Sequence, residues 1–125
     1  MLSCFRGNLL QVNTDPALWF GEEVVARRIR FADSAWGRMR GLMFVPHMPP
    51  DEALVLDPAR QVHTFGMRFN IDVIFCDDEW NVVHLVRRMR PGRITRWVRH
   101  GRRVIELPGG AVPQALSAGD RLELR

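Results

Sequence analysis

Apolar and polar positions alternate or cluster along this chain in short blocks, and turn residues punctuate them. Asn70 to Cys76 is the clearest strand signal: Ile71, Val73, Ile74, Phe75 and Cys76 are apolar and a single acid, Asp72, stands among them. A short apolar run bounded by polar residues reads as a buried strand. The polar run Asp77 to Asn81 follows and a second strand is expected from Asn81 to Arg87, so the two form a β-hairpin with a loop of about four residues. Glu52 to Asp57 and Arg103 to Leu107 read as further buried strands, and Arg121 to Leu124 as a final one after the Ser117–Asp120 turn. Between Glu23 and Phe31, Val25, Ile29 and Phe31 recur at period two with arginines opposite them, which predicts one half-buried strand. Asn8 to Asn13, closed by Asn-Thr-Asp-Pro, predicts an edge strand.

Only one segment has helical spacing. Ala35, Trp36, Met39, Leu42 and Met43 recur at three and four, after Asp33 or Ser34 as cap, and Pro46 forbids continuation. Pro113 can start a single helical turn through Ala115 and Leu116. The pattern therefore predicts a mainly β, compact single domain over residues 1–125: a β-sandwich or partly open barrel, jelly-roll-like, with one or two short helices. Residues 1–23 are expected as an N-terminal extension packed as an edge strand.

Composition changes this picture little. A chain of 125 residues, 46% apolar, can bury a core without disulfides. Cys4 and Cys76 are too few and too badly placed for a disulfide framework, and two reduced thiols fit a cytoplasmic protein. Residues 1–11 lack the apolar stretch of a signal peptide, and no window is apolar enough for a membrane helix. Charge is more distinctive: the net charge is +4, and all 18 basic residues are arginine. Arginine suits bidentate phosphate or carboxylate contacts, although a GC-rich genome produces the same bias.

Candidate chemistry centres on Val62 to Cys76. Asp72 is expected inside, where an ionised carboxylate must be paired or hydrogen-bonded. It reads first as a structural acid held by backbone N–H groups or by Arg40 or Arg68, and second as a general base or ligand contact. A turn at Gly66 would bring His63 and Thr64 beside its strand. A histidine on a carboxylate is a general-base arrangement, so a hydrolase using His63 and Asp72 is the alternative to a binding module. No nucleophile accompanies that pair: Gly-x-Ser-x-Gly is absent and Cys76 lies in an apolar run. No histidines have metal-ligand spacing, no Cys-x-x-Cys occurs, and no glycine-rich phosphate loop leads into a long helix, so neither metal nor cofactor is expected. From Arg87 to Arg103 there are eight arginines and no acid. Arg87, Arg88, Arg90, Arg93, Arg96 and Arg99 are candidate polyanion contacts with Trp97 for stacking. No nucleic-acid-binding signature accompanies them, and a small molecule or protein is the expected partner.

Several residues together carry a resemblance. Arg40-Gly41-Leu42-Met43, His63-Thr64-Phe65-Gly66-Met67-Arg68-Phe69 with Ile71-Asp72-Val73-Ile74-Phe75, Glu106-Leu107-Pro108-Gly109-Gly110 and Gly119-Asp120 are similar to stretches of the domain of unknown function family 192, also called the uncharacterised ancient conserved region family. The likeness runs from about Val24 onward. Asn70 stands where the family usually has proline, Gly109 where it has alanine, and Ala59 where one branch has cysteine. The resemblance implies a compact, mostly β domain of sandwich or jelly-roll-like form and supplies no function. Some relatives carry an N-terminal export segment, which is not expected here. The leading expectation is a small binding or interaction module whose pocket is framed by His63, Thr64, Met67 and Asp72, with Arg40 and Glu106 nearby.

Overall fold

The structure, a computed structural model, describes residues 16–32 and 46–125. Cys4, the strand expected at Asn8–Asn13, the helix expected from Ala35 to Met43, and Arg40 all lie outside the described residues.

Among the described residues, eight strands form two sheets that do not close into a barrel. They are β1 (Leu18–Phe20), β2 (Glu23–Ala26), β3 (Arg28–Ala32), β4 (Glu52–Leu56), β5 (Ile71–Cys76), β6 (Val82–Met89), β7 (Arg103–Pro108) and β8 (Glu123–Leu124). The larger sheet has the order β3-β4-β7-β5-β6, antiparallel except for the parallel β3–β4 pair, and the smaller one has the order β2-β1-β8. The β5–β6 hairpin forms as its apolar runs predict. Its turn is held by the Asp77 carboxylate, which accepts from the backbone N–H groups of Glu79 and Asn81 at 2.9 Å each.

Two expectations change. The period-two run from Glu23 to Phe31 is not one strand. The chain bends at Arg27, where the N–H groups of Arg27 and Arg28 both donate to the Asp51 carbonyl at 2.9 and 3.1 Å. β2 stays in the small sheet and β3 passes to the edge of the large one. Val25 is buried, whereas Phe31 is 54% exposed, so the expected common face is divided. The helical turn expected at Pro113 is a single hydrogen-bonded turn, with Leu116 N–H donating to the Pro113 carbonyl at 3.1 Å. No helix occurs among the described residues.

Alternation along β5 and β7 divides the core. Ile74, Cys76, Ile105 and Leu107 face the small sheet and pack with Leu18, Val25, Ala26 and Leu122. Ile71, Val73, Phe75 and Val104 point the other way, under Met48, Val62, Met67 and Val98. The cover over this second face includes a narrow two-stranded ribbon. Thr64 N–H donates to Arg93 C=O at 2.8 Å, Thr95 N–H to Val62 C=O at 2.8 Å, and Val98 N–H to Arg60 C=O at 2.8 Å. The ribbon brings the His63 segment and the arginine segment together.

Candidate functional site

The central strands carry two buried acids on opposite faces of the large sheet. Asp72 pairs in register with Leu107 and faces the small sheet, whereas Glu106 pairs with Val73 and Leu54 and faces the ribbon side. Asp72 is 1% exposed. Its Oδ1 accepts from Arg88 N–H at 2.8 Å, and its Oδ2 accepts from Gly110 and Val112 N–H at 3.0 and 2.9 Å. Hydrogen bonds to a charged acceptor are the stronger class. They hold two left-handed backbone positions, Arg88 (φ 51°) and Gly110 (φ 92°), against one carboxylate. A non-glycine residue such as Arg88 occupies that region only when its surroundings fix it there. Asp72 thus joins a bulge in β6 to the turn after β7.

Glu106 contrasts with it. It is 3% exposed, its Oε1 is buried without a hydrogen-bond partner, and burial pushes its carboxyl up to about 7. Few buried polar atoms in a native protein lack partners.

His63 sits in the ribbon opposite Ile94. Its ring stacks on Phe65 at 5.1 Å between centroids, and its Nδ1 is also buried without a partner. Thr64 is fully buried and structurally engaged. Its hydroxyl donates to Arg90 C=O at 2.7 Å and accepts from Arg93 N–H at 2.9 Å. Gly66 adopts φ 79°, which closes the turn that seats the buried Met67. The structure therefore places His63, Thr64, Met67 and Glu106 on the ribbon side and Asp72 behind the sheet. Among the described residues, His63 and Asp72 share no hydrogen bond. Cys76 is buried, and desolvation, with a smaller contribution from Asp77, pushes its thiol up to about 12.

The arginines divide by what they touch. The Arg87 guanidinium is taken up by carbonyls of the 112–116 loop, including Val112 at 3.2 Å, Pro113 at 3.1 Å and Leu116 at 2.8 Å. Nothing in the sequence signalled that role, because the loop is 25 to 29 positions away. Arg88, Arg90, Arg93 and Arg96 line an open groove between β6 and the ribbon, and Arg99 lines a different one beside Asp77 and Asp78. His84, which sequence reasoning did not single out, also borders the first groove. Burial, and then the charge of Arg96, lower its pKa.

The fold and its polar groups define a class: a two-sheet β domain with one satisfied and one unsatisfied acid across its central strands. Residues 19–124 match the DUF192 family, described as an uncharacterized ACR, and the chain belongs to that family. Over 89 residues it is 34% identical to a UPF0127 protein of Thermococcus sibiricus. That match takes in 68% of this chain, which spans 57% of the relative's length. A protein of unknown function from Novosphingobium aromaticivorans shares the fold, with a TM-score of 0.74 at 19% identity over 86% of this chain and 83% of that one. A Sinorhizobium meliloti protein, provisionally described as a transcription regulator, superposes with a TM-score of 0.68 at 25% identity over 77% of this chain and 80% of that one. No helix among the described residues is long and apolar enough to cross a membrane.

Proposed function

We propose that this protein is a small binding module with its pocket beside His63, on the ribbon side of the large sheet. Glu106 and His63 are the recognition groups and Met67 supplies an apolar wall. Thr64 and Asp72 act through the frame, since their polar atoms are already engaged by backbone. The observation that carries the reading is Glu106: a carboxyl 3% exposed, with Oε1 unpartnered. Such a group costs stability unless a ligand supplies its partner, and a few convergent polar groups in apolar surroundings are typical of ligand sites. A carboxyl with no donor fits a ligand that brings one, such as an amine or amidine. The hydrolase reading has less support, because both Asp72 oxygens are occupied and the Cys76 thiol is held protonated.

Thermal-shift titration with n-butylamine and benzamidine at about pH 8, roughly a unit above the raised carboxyl and hence with Glu106 ionised, tests this. Wild type should show a saturating rise in Tm, reduced in His63→Ala and absent in Glu106→Gln. Equal shifts in wild type and Glu106→Gln, or no shift in wild type, would sink the reading.

A further inference from the structure

The groove between β6 and the ribbon has a volume of about 450 Å³. That lies within the roughly 300–1,000 Å³ of small-molecule sites. Its lining brings Arg88, Arg90, Arg93 and Arg96 together with an apolar side that includes Val86 and Ile94, and no carboxylate lines it. Several other arginines among the described residues are engaged. Arg28 pairs with Asp51, Arg30 with Glu52, Arg102 and Arg103 with Asp57, and Arg125 with Glu123. Arg60 and Arg121 donate to backbone carbonyls. Among the described residues, the guanidinium groups of Arg88, Arg90, Arg93 and Arg96 have no such acceptor. The Arg88 guanidinium lies against Gly110, which is outside the groove lining. That leaves Arg90, Arg93 and Arg96 as uncompensated cations around the groove, and an anion among them relieves their repulsion. Guanidinium groups match phosphate oxygens in pairs. Ile94, 58% exposed, faces solvent at this same edge.

We propose that this groove binds a small organic diphosphate, with Arg90, Arg93 and Arg96 on its phosphate oxygens and the Val86–Ile94 side against its organic body. Size and charge pattern favour a small ligand over a nucleic-acid strand. The basic strip does not continue: Arg99 opens onto a separate groove that contains Asp77 and Asp78, which would repel a passing backbone. The backbone beneath is fixed by the Thr64 contacts to Arg90 and Arg93, so the arginines start from an ordered frame. Neither Glu106 nor His63 lines this groove, so its test does not depend on that reading.

Calorimetric titration of the full chain at low and physiological salt, with ADP as the probe, tests it. ADP should bind more tightly than pyrophosphate or AMP, and adenosine not at all. Each charge-assisted contact is worth about tenfold or more in affinity. Arg93→Ala with Arg96→Ala should therefore weaken ADP at least about 100-fold without changing Tm, with partial rescue by Arg96→Lys. Arg99→Ala should leave ADP affinity unchanged. The proposal is overturned if neither ADP nor pyrophosphate binds at low salt, if the double variant binds ADP as wild type does, or if a thymidine oligonucleotide binds more tightly than ADP.

Discussion

Replacing Glu106 with glutamine removes one ionisable proton from the middle of β7 with almost no change in shape. In the folded chain burial raises this carboxyl from 4.5 to about 7. Each pKa unit is about 1.4 kcal/mol, so the gap amounts to about 3 kcal/mol. The sign follows from proton binding. Between pH 4.5 and about 7 the unfolded chain has lost this proton and the folded chain keeps it, so folding stability falls as pH rises through that window. Above about 7 the loss is complete. Against a total stability of about 5–15 kcal/mol, the effect is large enough to read directly. His84 works in the opposite direction, because burial lowers its pKa from 6.5 and stability gains as pH rises past it. Asp57 and Asp77 have pKa values below 3.8, so their contributions are lost only in stronger acid. The informative quantity is therefore the difference between wild type and Glu106→Gln, in which the other groups cancel. Urea unfolding followed by circular dichroism at about pH 5 and about pH 8 should show wild type losing about 2–3 kcal/mol relative to the variant. A difference that stays flat within about 0.5 kcal/mol would refute the reasoning, because Glu106 would then have no buried proton to lose.

Two further outcomes follow from groups on the opposite face. Asp72→Ala removes the charged acceptor of three N–H groups, of which only that of Val112 is buried. With hydrogen bonds to charged groups worth about 1.5–3 kcal/mol each, less where solvent reaches them, urea unfolding should show a loss of about 3–6 kcal/mol. Asp72→Asn should lose about half of that, because its amide oxygen can still serve Gly110 and Val112 while its NH₂ opposes the Arg88 N–H; a variant Asp72→Ala as stable as wild type would contradict the latch. Cys76, buried and with its thiol pushed up to about 12, should resist a thiol–disulfide exchange reagent in native Cys4→Ser protein and react fully in urea; fast labelling of the native form would show that β5 opens readily.

The central strands were legible because their apolar runs are uninterrupted and end in turn residues. β4, β5, β6 and β7 all fall where those runs predict. The corner at Arg27 was not legible, since period-two alternation continues across it and the cause, the Asp51 carbonyl, is supplied from elsewhere in the chain. Asp72 could be read as a buried structural acid from its apolar neighbours, and backbone N–H groups were among its expected partners. Which backbone groups those would be depends on the β6 bulge and the Gly110 turn, both long-range features. Glu106 entered through the family resemblance alone, although Val104, Ile105 and Leu107 around it carry the same signal that exposed Asp72. That the two acids face opposite sides is set by strand register, which a single sequence does not display. Arg87 and Arg93 look alike in sequence, yet one is spent on carbonyls and the other borders the open groove.

The small sheet is closed by a reciprocal pair of bonds between Ala17 and Arg125, at 2.9 and 3.1 Å, beside the β1–β8 pairing. The indole of Trp19 also donates to the Arg125 carbonyl, across 106 positions of chain. On a ribosome adding about 5–20 residues per second, β1 therefore waits roughly 5–20 s for its second neighbour. Until then the β1–β2 hairpin is a two-stranded sheet with an open edge, and Leu18 lacks the Leu122 that joins it in the finished core. Synthesis of this protein thus passes through an interval in which an apolar surface and an unpaired strand are both available to whatever binds nascent chains.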